Sequence, residues 1–230
     1  MHSNIILSPH LDDAVFSCWK TIKDSQELLI INVFAGIPKQ GTATIWDRIC
    51  GEKNSVKMIN IRRQENELAL NKTRATNIYL DFLDNQYRTK KNINKQVKKN
   101  INKYLNKKSK ILFPLAISSN YRHPDHIFLR NIGLELLEEN YDIVFYPDIP
   151  YMFLPKNINN KHINKLINRA QGRLNLSVDI QVLKLTQLEQ QSKRIAASKY
   201  SSQYKMTNIV SLGRLAKSIN NNYELLFIPK

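Results

Sequence analysis

Short, nearly continuous apolar runs constrain the fold of this chain most. Asn4–Ser8, residues 28–34, residues 110–115 and Asp142–Tyr146 are each the length of a strand and too short for an independent helix. Strands that read apolar along their whole length are buried on both faces, which is the condition inside a parallel sheet. Helical periodicity fills the intervals, at residues 13–24, 61–76, 88–110 and 126–140. Residues 77–83 and 224–228 read as two more strands, and residues 179–198 as a long polar helix. Alternation of this kind predicts an α/β fold, a mainly parallel sheet with helices on both faces. No Pro/Gly/Ser-rich linker divides the 230 residues, so one domain spanning 1–230 is expected. Residues 36–60 are the least regular stretch, long for a loop and suited to covering a site.

The bulk numbers exclude several classes. Hydrophobic residues make up 42% and charged residues 23%, as in a soluble globular protein. No window holds 18 apolar residues, so no membrane span is expected. A signal peptide is not expected either, because the start lacks a basic region and its apolar run leads straight into the candidate site. Cys18 and Cys50 make no disulfide framework, Cys18 reads as a small buried residue, and a reducing cytoplasm fits. The net charge of +16 is concentrated, with ten basic and no acidic residues between 88 and 110. Ile93, Val97, Ile101, Tyr104 and Leu105 fall there at helical spacing, giving a lysine-rich outer face. That face is either simply solvated or attracts an anionic substrate, a membrane surface or a polysaccharide. Nucleic acid is not expected, since interleaved arginines and a binding motif are missing. Oligomeric state is not legible.

Two polar clusters stand at equivalent strand ends. Ser8-Pro9-His10-Leu11-Asp12-Asp13 follows the first run, and His123-Pro124-Asp125-His126 follows residues 110–115 across a short loop. Ligands in open α/β sheets bind outside the carboxyl ends of strands. A catalytic zinc needs three protein ligands and an open position for water. His10 and Asp13, three residues apart at a strand-to-helix turn, can converge on one ion, and one histidine of the second cluster completes the set. Asp12 cannot share the ion's face with Asp13 and is placed to move a proton. The other imidazole can donate to a developing oxyanion. Cobalt, manganese or ferrous ion would also suit these donors. His2 and His162 have no carboxylate partners nearby and read as incidental.

These residues resemble the zinc-dependent PIG-L/LmbE-like N-deacetylases, in particular the branch containing glycopeptide-antibiotic sugar deacetylases. Beyond the two clusters, the resemblance runs through Val33-Phe34-Ala35-Gly36, Ile45-Trp46, Arg62-Arg63-x-Glu65, Phe82-Leu83-Asp84 and Tyr87-Arg88. It continues through Tyr146-Pro147-Asp148-Ile149-Pro150-Tyr151, Lys193-x-x-Ala196 and Tyr200-x-Ser202-Gln203. It implies a Rossmann-like fold and removal of an N-acetyl group from an N-acetylglucosaminyl-type conjugate. It also implies zinc or another divalent ion such as Fe2+ on His10, Asp13 and His126. Asp12 would then be general base and acid, His123 the oxyanion donor, and Asp125 the group orienting a histidine. Arg63 and Asp84 would be sugar contacts. The basic segment adds an expectation of an anionic aglycone. The family pattern has Pro where Leu11 stands and Glu where Ala14 stands, and neither position is a ligand. An amidohydrolase acting on a non-sugar acyl-amine would need the same site. A metal-binding glycan-recognition pseudoenzyme would have no use for Asp12.

Overall fold

The computed structural model describes residues 2–88, 94–117, 123–152 and 154–230. In chain order the elements are β1 (Asn4–Ser8), α1 (Asp13–Ser17), α2 (Trp19–Asp24), β2 (Leu28–Asn32), α3 (Ile45–Ile49) and α4 (Ser55–Leu70). They continue with β3 (Thr76–Tyr79), a 3-10 turn (Asn85–Tyr87), α5 (Asn94–Asn102), β4 (Lys110–Pro114), α6 (Pro124–Glu138) and β5 (Asp142–Tyr146). The last are α7 (Asn160–Leu174), β6 (Val178–Lys184), α8 (Gln187–Ala197), α9 (Ser201–Val210), α10 (Arg214–Ile219) and β7 (Tyr223–Pro229).

Among the described residues the strands form one seven-stranded sheet in the order β3-β2-β1-β4-β5-β7-β6. The first five are parallel, and β7 and β6 add an antiparallel edge. The fold is therefore α/β with a mainly parallel sheet, as the apolar runs predict. The chain runs outward from β1 through β2 to β3, then returns beside β1 as β4 and continues the other way to β5, so the strand order reverses between β1 and β4. Right-handed crossovers put the helices that follow β1 and β2 on one face and those flanking β4 on the other. The crevice at such a reversal is the standard binding place of an open α/β sheet. Both polar clusters leave the sheet there.

The core explains the runs. Ile5, Ile6, Leu7, Leu28, Ile30, Ile31, Ile111, Leu112 and Phe113 are all buried. On one face α6 approaches β4 so closely that a Cβ on Gly133 would stand 2.8 Å from the Phe113 ring. That contact fixes the helix that carries the second cluster.

Several boundaries differ from the sequence expectation, each for a local reason. The helix expected over 13–24 is broken at Cys18. There the Glu224 carboxylate of β7 accepts from the amides of Trp19 (2.9 Å) and Lys20 (2.8 Å) and starts α2 afresh. The helix expected over 61–76 begins at Ser55, because the Asn54 side chain accepts from Val56 and Lys57, and it ends at Leu70. The expected strand over 77–83 is only Thr76–Tyr79. Residues 179–198 are not one helix: Val178, Ile180 and Val182 alternate, and β6 pairs with β7 over seven residues before α8 begins at a Thr186–Glu189 capping box. In the basic segment α5 covers only Asn94–Asn102, with Val97 and Ile101 buried, while Tyr104 is exposed. Ile93 lies outside the described residues. Lys98 of α5 pairs with Glu135 of α6 and with Glu139, the residue that caps its end, so part of the lysine face is neutralised. No helix among the described residues is long and apolar enough to cross a membrane.

Glu224 also pairs with the buried Lys193 of α8 at 2.6 Å. Removing one partner of a buried pair leaves an uncompensated charge. Lys193→Ala should therefore cost about 3–5 kcal/mol, read as a lower urea midpoint with unchanged slope. A midpoint equal to wild type would contradict this role.

Candidate active site

Each cluster builds its own backbone as well as the site. The Ser8 hydroxyl donates to the His10 carbonyl (2.6 Å) and accepts from the Ala14 amide (3.0 Å), closing the turn between β1 and α1. Asp13 sits at the first position of α1, and its Oδ2 accepts from the His10 amide at 2.9 Å. In the second cluster His123 is the N-cap of α6, Pro124 follows it, and Asp125 lies in the first turn. Proline and an acid are favoured there by missing donors and the helix dipole. Helix formation thus aims His126 back toward the end of β1.

The two clusters meet. His10 Nδ1 lies 3.2 Å from Asp13 Oδ2, His126 Nε2 lies 3.3 Å from the same oxygen, and the two nitrogens are 3.3 Å apart. A tetrahedral zinc with bonds of about 2.0–2.1 Å separates neighbouring donors by about 3.3–3.4 Å. The triangle fits such an ion, with two imidazoles and one carboxylate as donors. His10, His123 and His126 also bring ring nitrogens within 4.8 Å of one another, as do donors of His10, Asp84, His123 and Asp125. That second group is less suited to an ion. Asp125 is already bonded to Arg88 and to the Asn85 amide, and Asp84 to the Gln86 amide and side chain.

Both histidines of the triangle carry a carboxylate on the far nitrogen. Asp125 Oδ2 stands 3.2 Å from His10 Nε2, and Asp148 Oδ1 stands 2.6 Å from His126 Nδ1. Such partners fix tautomer and ring orientation and raise the basicity of the ligand nitrogen. Asp148, at the end of β5, also accepts from the Ala116 amide. Its orienting position was not legible in the sequence, although it lies in the 146–151 segment.

The electrostatics follow from burial and crowding. Burial pushes the Asp12 carboxyl up, the neighbouring Asp13 charge pushes it further, and it reaches about 7. Burial acts the same way on Asp13, but the His126 and His10 imidazoles outweigh it and hold Asp13 far below the usual carboxylate range. Burial draws His126 down, yet Asp13 and Asp148 overcome it and raise the imidazole to about 9. His10 is likewise raised by Asp84, Asp125 and Asp13 against its burial. His123 goes the other way, to about 3, through burial and the charges of His10 and His126. The His123 ring is therefore neutral. Its Nδ1 accepts from the Asp125 amide (3.4 Å), which leaves the proton on Nε2.

One consequence is testable by calorimetry. In the metal-free protein His10 and His126 hold protons at neutral pH, and a metal must displace them. Zinc titrated at pH 7 into buffers of different ionisation enthalpy is expected to release at least one proton per ion. Affinity should rise toward pH 9. Uptake with no proton released would contradict the paired histidines.

A cavity of about 630 Å³ opens over the triangle. Asp12, Asp13, His10, His123 and Asp84 all line it, so these expected residues are brought together. Arg63 is not. Its Nε and Nη2 donate to the Ala35 carbonyl at 3.1 and 2.6 Å, and its guanidinium stacks over Tyr79. It holds α4 to the loop after β2. The preceding residue, Arg62, lines the cavity instead, as does Arg214 of α10, and neither is among the contacts expected from the sequence. Arg62 is buried, donates to Asp47 at 3.1 Å, and its Nε has no hydrogen-bond partner among the described residues. Trp46 of α3 lines the cavity too, so part of the irregular 36–60 stretch does cover the site. Among the described side chains, none of α5 does.

A family model described as GlcNAc-PI de-N-acetylase, PIG-L, matches residues 5–137, which include both clusters. The chain belongs to the PIG-L family. Solved structures share the PIG-L fold over nearly the whole chain. The A40926 pseudoaglycone deacetylase Dbv21 superposes with a TM-score of 0.73 at 20% identity, covering 100% of this chain and 98% of its own. A zinc inhibited form of the teicoplanin deacetylase Orf2 gives 0.69 at 20% identity, with 98% and 96% covered. The N,N'-diacetylchitobiose deacetylase from Pyrococcus horikoshii gives 0.60 at 16%, with 99% and 84% covered. No curated protein is significantly similar to the chain.

Proposed function

We propose that this PIG-L protein is a metal-dependent hydrolase that removes an N-acetyl group from an N-acetylglucosaminyl-type conjugate, giving acetate and a free amino sugar. The observation that carries the proposal is the donor triangle of His10, Asp13 and His126 with a second carboxylate, Asp12, on the same cavity wall. A site for binding alone would have no need of Asp12.

The three donors would hold zinc or Fe2+, which when bound acidifies water and polarises a carbonyl. The protein supplies the rest. Asp12, poised near neutrality by burial and by Asp13, takes the proton from the attacking water and returns it to the departing amine. His123 donates its Nε2 proton as a hydrogen bond to the amide oxygen while charge develops there. A preorganised donor of this kind typically contributes about 10²–10³ in rate. Asp125 and Asp148 keep the His10 and His126 rings in register. Arg62 and Asp84 face the cavity with donor and acceptor groups suited to sugar hydroxyls. Arg62 takes the part expected of Arg63.

The lysines of α5 gain no support as the site for an anionic aglycone or for membrane contact, since α5 leads toward the amino end of β4, away from the cavity; Lys90 and Lys91 lie outside the described residues. The free thiols Cys18 and Cys50 fit a reducing cytoplasm.

The substrate class is tested by acetate release from a panel of N-acetylglucosaminyl conjugates set against simple acyl-amines. Faster release from the sugars is expected. Equal or faster release from acyl-amines would make the protein a general amidohydrolase.

A further inference from the structure

The mouth of the cavity carries apolar side chains in water. On one side α3 contributes Trp46 to the cavity wall and leaves Ile45 79% exposed just outside it. On the other side the turn from α9 to α10 contributes Val210 and Leu212 to the wall. Leu212 is 80% exposed, and Ile209, outside the lining, is 54% exposed. Two lips of one cavity thus present isoleucine, valine and leucine to solvent. Exposed apolar side chains gathered around one cavity suit an interaction surface.

The second lip is built, not loose. Leu212 has φ 54, a left-handed conformation rare for leucine, and Gly213 continues it at φ 75. The Gly213 amide donates to the Asn208 carbonyl (2.8 Å), the Asn208 side chain accepts from the Ala216 amide (2.9 Å), and the Ser211 hydroxyl accepts from the Leu215 amide (3.3 Å). These bonds hold the leucine outward.

The solvent-accessible charges on α3, α9 and α10 are all cationic. Arg48 lies between Ile45 and Ile49 on α3, and Lys205, Arg214 and Lys217 belong to α9 and α10. Residues 201–219 hold no acid, and residues 37–51 hold only Asp47, which is fully buried against Arg62 and Tyr87. A second copy would bring like charges together. A polar soluble partner would leave the isoleucines wet. An anionic lipid surface satisfies both features, with the isoleucines in the acyl boundary and the cations among headgroup phosphates.

We propose that the cavity mouth docks on an anionic lipid surface through Ile45, Ile209 and Leu212, so that the site opens toward sugars displayed at that surface. The proposal rests on the deacetylase reading only in taking the cavity as the active site, and its test needs no turnover.

The test is co-sedimentation with vesicles of phosphatidylglycerol and phosphatidylcholine, against phosphatidylcholine alone, at physiological salt. The double variant Ile45→Ser/Ile209→Ser keeps every charge and touches no cavity-lining residue. It is expected to bind the anionic vesicles at least tenfold more weakly than wild type. Wild-type Trp46 emission should shift to the blue on binding, while Trp19, buried in the core, stays constant. Equal affinity of wild type and variant would show that net charge alone carries binding, and would overturn the proposal, as would no binding by wild type. Acetate release from a soluble N-acetylglucosaminide should be the same for both proteins. Vesicle binding through the isoleucines without any acetate release would sink the deacetylase reading and leave the docking surface standing.

Discussion

Asp12→Asn is expected to keep the metal and lose turnover. Asparagine matches the carboxylate in shape but cannot accept the proton of the attacking water. Acetate release should fall by about 10²–10⁴-fold, the usual contribution of a positioned acid–base group. Metal content after dialysis should stay near one ion per chain, because Asp12 is not a corner of the His10–Asp13–His126 triangle. The wild-type pH profile follows from the sign of the shift. A carboxyl raised to about 7 by burial and by Asp13 is a base above that value and is protonated below it. A bound cation draws the value down, so the acid limb of the loaded enzyme should inflect at or below pH 7. The residual activity of the variant should lack that limb. Near-normal turnover in Asp12→Asn would remove Asp12 from the mechanism.

His126→Ala acts on the metal itself. The imidazole stands between Asp13 at 3.3 Å and Asp148 at 2.6 Å, so its removal takes away one donor and leaves two buried carboxylates facing a void. Metal affinity should fall by more than the about 10–100-fold that typically follows loss of an orienting partner. Asp148→Asn supplies that comparison. It leaves all three donors in place and should lose affinity within the 10–100-fold range, with partial activity restored by added zinc. Competition against a chromogenic chelator measures both. If His126→Ala held metal as tightly as wild type, the ion would sit elsewhere, for example on the His10–His123 side of the cavity.

The parts of the site legible in the sequence were those whose residues also build the local backbone. Ser8, Asp13, His123 and Pro124 shape a strand end and a helix start, so their spacing shows both the turn and the ligands. Residues whose meaning depends on rotation or on distant chain were less legible. Arg62 and Arg63 are neighbours on α4, and one residue turns a helix by about 100°. No motif spacing tells which of them faces the cavity. Asp148 acts from the turn just beyond β5, and only strand order brings it beside His126. The same holds for the fold. β6 resembles part of a helix in the sequence because its alternation is short and its polar residues merge with those of α8, and it is the pairing with β7 that makes it a strand. The break at Cys18 has its cause in Glu224, some two hundred residues away. α9 leaves no periodic signal, because none of its residues is buried.

The central claim is metal-dependent acetate release at the His10–Asp13–His126 site. The most direct measurement follows acetate from an N-acetylglucosaminyl conjugate with protein as purified, after removal of metal by a chelator, and after return of one equivalent of zinc or Fe2+. Release that stops with the chelator and returns with one equivalent is expected, together with its absence in His126→Ala. Undiminished release from metal-free protein would contradict the account.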